Sequence, residues 1–312
     1  MQASATRYRF GSSLVGLGAG VVWSLGALCA RSADGASAWQ YLLWRSVAII
    51  VVIEGASILL RRPSPLRKAY TSDRLMLASI ASLLLASLGF VYAVKNTSAA
   101  NAAFLASLSP MIAAVLGWLV LKERLSLVTV GAIVLSLVGL FIMVRGDSDG
   151  GNLRGNVGAL SSAVGFASYT LCLRRDRTRD WAPVMPGYAV LMIALCSTVT
   201  LWQGDSLVPP ATDIAWAVFH GGVLITVGTL MYNAASRTLA AVTMTIFAQT
   251  EMVFVPVWVF MKFKEAPKVS ALVGGGLILV AVVGQALYSN RMAPNPLASE
   301  SPGGPTSLAT TG

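Results

Sequence analysis

Eight stretches of this chain run for 19 to 26 residues without a single Asp, Glu, Lys or Arg: 10–30, 75–94, 96–121, 125–144, 155–173, 181–204, 214–236 and 269–290. A helix crossing a hydrocarbon core of about 30 Å needs about 20 mostly apolar residues, so each stretch holds one crossing. Two more, 40–60 and 240–261, have the length but are interrupted, the first by Arg45 and Glu54, the second by Glu251. In lipid every backbone N–H and C=O must be satisfied within its own segment, which selects helices for runs of this length. The pattern predicts an all-α integral membrane protein with ten transmembrane helices.

Composition narrows the class further. Charged residues make up 12% of the chain and hydrophobic ones 55%. A soluble globular protein carries roughly 25% charge, so this chain lacks the polar groups to coat a water-facing surface of its size. A soluble enzyme, a disordered chain and a disulfide scaffold are all disfavoured. Cys29, Cys172 and Cys196 are far apart and form no CxxC pair, and His220 is the single histidine. Neither a metal site nor a bound cofactor is expected.

Arg7 and Arg9 ahead of an apolar run, with Ala36-Ser37-Ala38 after it, resemble a cleaved signal peptide. With nine more crossings following, an uncleaved first helix is the simpler reading. Orientation follows from Lys and Arg between crossings. With the N-terminus inside, the inner segments hold 15 basic residues and the outer loops 7. Both termini are therefore expected in the cytoplasm, and the location is a bacterial-type inner membrane. The net charge of +10 is assigned to the anionic inner leaflet and not to nucleic acid. The Pro/Gly/Ser-rich segment 289–312 is expected to be a disordered cytoplasmic tail.

The chain also repeats itself. At a shift of 142 residues Val15-Gly16 falls on Val157-Gly158 and Glu123 on Glu265; at 141, Thr97, Ala99 and Ala100 fall on Thr238, Ala240 and Ala241. This divides the chain into 1–149 and 150–288, each with five crossings. Five is odd, so the second copy crosses in the opposite sense. Inverted repeats are a recurrent architecture of secondary transporters, with the solute site near the midplane where the repeats meet.

The stretch YAVKNTSAANAAFLASLSPMIAAVLGWLVLKERLSLVTVGAIVLSLVG, from Tyr92 to Gly139, closely resembles the first-repeat signature of EamA-type members of the drug/metabolite transporter superfamily. The stretch from Tyr232 through EMVFVPVWVFMKFKEAPKVSALVGGGLILVAVVG resembles their second-repeat signature, and the likeness extends to Leu287. In that family the second signature usually has Glu-Pro; here Met252 follows Glu251, and the proline stands at Pro256. The resemblance implies two inverted five-helix repeats that move a small organic metabolite, amino acid-like or drug-like, commonly by export.

Glu251 lies ten residues from each end of its crossing, where a carboxylate costs on the order of 3 kcal/mol or more. Thr243, Phe247, Glu251, Phe254 and Trp258 share one helical face, joining an ionisable group to three aromatic rings. Two roles stay open: proton coupling, or direct contact with a solute amine. Arg45, within Trp44-Arg45-Ser46, either pairs with a carboxylate across a cavity or snorkels to the outer headgroups. The resemblance favours a functional arginine in this context. Glu54, half a turn out of phase with Arg45, reads as structural. Trp23 shares a face with Gly16 and Gly20, and Tyr92, Tyr169, Tyr232, Asn101 and Gln249 are further candidates for solute contacts. His220 reads as a packing residue. Pro110 and Pro256 mark expected helix distortions that would serve gating.

Other classes fit less well. An intramembrane enzyme would need clustered His, Asp or Cys at depth, and no GxSxG is present. A channel is opposed by the repeat and by the lack of a charged ring. No GxxxxGK[ST] loop is present, so transport would be driven by a gradient or by exchange. Uptake remains the alternative to export. The expected partners are a small-molecule solute and membrane lipid, with no nucleic acid; oligomeric state leaves no mark in the sequence.

Overall fold

A computed structural model describes residues 2–122, 126–146, 153–176, 178–236 and 250–292. Every regular element among them is helical: α1 (Gln2–Ser32), α2 (Ala38–Leu59), α3 (Pro65–Thr71), α4 (Arg74–Asn96), α5 (Ala99–Ala106), α6 (Ser109–Leu121), α7 (Leu127–Gly146), α8 (Leu153–Arg175), α9 (Val184–Trp202), α10 (Ala211–Phe219), a π-helical turn (His220–Ile225), α11 (Thr226–Ser236), α12 (Thr250–Phe263) and α13 (Val269–Met292). Seven segments are long and apolar enough to cross a membrane: Leu14–Ser32, Ala38–Leu59, Arg74–Asn96, Ala99–Val120, Leu153–Arg175, Val184–Trp202 and Ala211–Tyr232. Three further apolar helices, over Leu127–Ile142, Val253–Phe263 and Val269–Gln285, are shorter. The expected tail lies outside the described residues from 293 onward, as do Phe247, Gln249 and Thr243.

Starts of helices are set by local chemistry. Ser37 and Gln40 form a capping box at α2, the Ser37 hydroxyl accepting from the Gln40 amide and the Gln40 side chain accepting from the Ser37 amide. Asp73 caps α4 through the Met76 N–H at 3.1 Å, and Ser98 caps α5 through the Asn101 N–H at 3.1 Å. The Glu54 carboxylate accepts from the Leu66 N–H at 2.8 Å in the first turn of α3.

Helices α4 and α8 form the most extensive pair, followed by α7 with α13 and α2 with α9. Without a hydrophobic drive between helices in lipid, close approach depends on small residues at the contact. Gly165 supplies it: a Cβ there would stand 2.7 Å from the Ser82 carbonyl oxygen and 2.9 Å from the Ala86 Cα. Large apolar side chains instead point outward, Leu127 being 90% exposed and Phe141 59%, as a lipid-facing surface requires.

Polar knots close both ends of the bundle. At one, Arg31 of α1 donates to the Thr97 carbonyl at 2.9 Å and pairs with Glu265 at 3.0 Å, while Lys95 donates to the Ala33 and Ala36 carbonyls. At the other, Arg179 grips Asp73 with two hydrogen bonds of 2.5 and 2.9 Å and also reaches Asp176 at 3.1 Å. The Arg179 guanidinium, and secondarily the Met76 N–H, hold the Asp73 carboxyl at about 2, against an ordinary value near 4. A depressed carboxylate stabilises the fold fully above its unfolded value and loses that effect as pH falls through its folded value. The melting-temperature difference between wild type and Asp73→Asn is thus expected to be constant above about pH 5 and to vanish toward pH 2. A difference of unchanged size at pH 2 would mean that it does not arise from the Asp73 charge and its pairing with Arg179.

Candidate functional site

Between the two polar knots a single crossing is broken in the middle. Helix α5 ends at Ala106 and α6 begins at Ser109, the turn between them held by Ser107 N–H to Ala103 O at 3.0 Å and Leu108 N–H to Leu105 O at 3.2 Å. Pro110 stands in the first turn of α6, where its missing N–H leaves no bond unmade. The distortion expected at Pro110 is therefore located three residues earlier, and it turns Ser107 and Ser109 toward a cavity of about 170 Å³. Pro256 lies within α12.

Arg45, Glu251 and Trp23 all line this cavity. Arg45 does not snorkel; it is 2% exposed, because α2 turns it inward, where it donates to the Ser87 hydroxyl of α4. Among the described residues its Nε has no hydrogen-bond partner. Among the described residues no carboxylate lies within 4.0 Å of it, so Arg45 and Glu251 share the cavity without pairing. Its neighbour Trp44 faces elsewhere, donating to the Leu207 carbonyl at 2.9 Å.

Sequence reasoning missed several lining residues. Ser87, Phe90, Phe166 and Tyr188 reach the cavity from α4, α8 and α9, segments whose charge-free runs gave no indication of an inner face. Read as packing, His220 also lines it, and its Nδ1 meets the Tyr41 hydroxyl at 2.9 Å. The π-helical turn that His220 opens widens the backbone there, a feature frequent at functional sites. Gly221 follows because nothing larger fits: a Cβ would collide with the Arg45 carbonyl oxygen and stand 2.9 Å from the Arg45 Cγ.

The remaining candidates make helix contacts outside the cavity lining. Tyr232 packs on Trp23 with ring centroids 5.2 Å apart, and Tyr92 on Trp39 at 5.9 Å. Trp258 stacks on Phe254 at 5.6 Å and donates to the Ser24 hydroxyl at 2.9 Å. Tyr169 is buried beside Phe166, and Asn101 is buried in the first turn of α5. Tyr232 stands directly behind Trp23, which lines the cavity. The helical face drawn through Glu251 and Trp258 is thus divided, the carboxylate reaching the cavity and the indole bridging to α1.

Comparison with known proteins places this arrangement. Residues 11–145 and again 153–286 match the EamA-like transporter family. The chain belongs to that family. As an EamA-like transporter it is an integral membrane protein, and its long apolar helices accord with this. It is similar to the "Uncharacterized transporter YwfM" of Bacillus subtilis (strain 168), with 33% identity over 158 residues. That stretch is 49% of this chain and 48% of the relative, so the likeness spans about half of each. A solved crystal structure covers 91% of this chain and 99% of its own, at TM-score 0.63 and 20% identity, a likeness of fold.

Proposed function

We propose that this EamA-like transporter is a secondary transporter that carries a small organic metabolite by alternating access, with export as its direction. The observation that carries the reading is the cavity: Arg45 comes from α2 in the first matched stretch and Glu251 from α12 in the second, and both face one space. A site at the meeting of two halves can open to either side when the halves rock.

The architecture proposed is ten crossings in two inverted repeats, 1–149 and 150–288. In it α5 with α6, α10 with α11, and α12 with the residues before it each make one crossing. Exchange of helix partners supports this. Under the exchange of first for second repeat, the α4–α8 pair becomes α11–α1, α5 and α6 against α8 become α12 against α1, and α2–α9 and α7–α13 map onto themselves; all are contacts in the bundle. Backbone conformation agrees: Lys122 after α6 and Lys264 after α12 both have φ of 56°, an uncommon state for a non-glycine residue. The two positions are 142 residues apart, the shift of the sequence repeat.

Both termini are assigned to the cytoplasm of a bacterial-type inner membrane. In a background without native cysteines, a cysteine at Ser72 is expected to be shielded from an impermeant outside reagent and one at Ser206 to react. The reverse pattern would sink the topology. For function, proteoliposomes preloaded with cell extract should show saturable counterflow of at least one metabolite, and metabolite profiles of cells with and without the protein should differ in the same compound. A channel gives flux without counterflow, so its absence across the extract overturns the transporter mechanism.

A further inference from the structure

The seam between α1 and α12 is bridged by a row of polar side chains. Trp258 of α12 donates to the Ser24 hydroxyl at 2.9 Å, and Ser24, fully buried, directly follows Trp23 of the cavity wall. Toward the end of the bundle Lys262 donates to the Ser32 hydroxyl at 2.6 Å and lies 4.4 Å over the Trp216 ring of α10. Glu265, just past α12, completes the row. One of its oxygens accepts from Arg31 at 3.0 Å and from the Ala99 N–H at 3.4 Å, while Arg31 also holds the Thr97 carbonyl at 2.9 Å. Arg31, Thr97 and Ala99 belong to the first matched stretch, Lys262 and Glu265 to the second.

The most extensive seam is built differently. Between α4 and α8 a Cβ at Gly89 would stand 2.5 Å from the Gly158 carbonyl oxygen, and one at Gly165 would meet the backbone of Ser82 and Ala86. Water cannot replace backbone contact of that kind, whereas it takes over a hydrogen bond at little net cost. The Arg31 clamp is also incomplete: Nε is buried and, among the described residues, has no hydrogen-bond partner. Water entering the seam would remove that penalty. The Arg31 and Glu265 side chains are 27% and 33% exposed, so the mouth of the seam is already accessible.

We propose, resting on the transporter reading above, that the α1–α12 seam is a gate to the cavity, held shut by the Arg31–Glu265 clamp and opened by exchange of its hydrogen bonds for water. Parting it uncovers Trp23 on α1 and Glu251 on α12, both in the cavity lining. Alternating access needs two states close in free energy. A seam of replaceable bonds keeps them close, while the α4–α8 contact stays whole.

The test uses protein without native cysteines in lipid nanodiscs, with Ser24→Cys as the reporter. Its reaction rate with a water-soluble maleimide is expected to rise about 5-fold or more when Arg31→Gln is added, the factor that loss of one clamp bond gives. Ser79→Cys, equally buried on α4 at the opposite end of the bundle, should not change. An unchanged rate at Ser24→Cys overturns the gate, and so do equal rises at both reporters, which mean general loosening. In proteoliposomes loaded with cell extract, Ser32→Cys with Lys262→Cys, bridged by a short reducible bifunctional thiosulfonate, should lose counterflow and regain it on reduction. Each single-cysteine variant treated alike should keep it. Full counterflow in the bridged protein, or equal loss in the single variants, overturns the proposal. Without counterflow in the untreated protein the transporter reading falls, and the labelling rates alone then decide whether the seam opens.

Discussion

Arg45→Gln is expected to reduce saturable transport of the physiological solute by about 30-fold or more while the protein still inserts and folds. Truncating one partner of a buried, hydrogen-bonded charge pair costs about 2 to 5 kcal/mol, and about 1.4 kcal/mol is a tenfold change. Glutamine keeps a polar group on a similar stem but loses the charge and falls short of the Nη2 that reaches Ser87, so protein yield is read beside transport. Arg45→Lys should not restore transport, because a compact ammonium lacks the planar fork. Initial rates of counterflow, measured beside the yield of monodisperse protein, decide the matter. Normal rates in Arg45→Gln would make the residue a packing element and would place the solute site elsewhere.

Gly221→Ala is expected to impair transport as strongly without touching the solute. Its Cβ would strike the Arg45 carbonyl oxygen and crowd the Arg45 Cγ, so either the π-helical turn or the α2 backbone must move. Overpacking of this kind costs typically 1 to 3 kcal/mol, and here the strain falls on the residue that aims the guanidinium. The melting temperature in detergent should fall, and the apparent affinity for solute should weaken with it. Gly222→Ala is the control, since the nearest atom to its Cβ would be a Val52 methyl at 3.2 Å, which can shift. Equal effects at both positions would show that the segment simply dislikes side chains, and that Arg45 is not positioned by Gly221.

The membrane class was legible because it depends on a summed property, the cost of charge in hydrocarbon. That sum survives any detail of packing, so the apolar runs of α1, α2, α4, α8 and α9 could be read from their lengths. Arg45, Glu251 and Trp23 stood out for the same reason in reverse: each is expensive or unusual at its depth, and all three line the cavity. Whether Arg45 faced lipid or the interior was not readable, since its long stem satisfies either reading until the neighbouring helix is known. Ser87 on α4 decided it.

Tertiary structure alone supplied the rest. Ser87, Phe90, Phe166 and Tyr188 look in sequence like any other residue of an apolar crossing, and a helix that is apolar all round carries no periodic signal of which face is inside. The position of the break at 107–108 was hidden too, because the proline that signals it belongs to the next helix start. Tyr92, Tyr232 and Trp258 drew attention for their polarity and aromatic area, and each meets a neighbouring helix through Trp39, Trp23 and Ser24 respectively. A polar group in a membrane needs a partner whether or not a solute ever comes, so sequence identifies the need and only the packed helices decide who meets it.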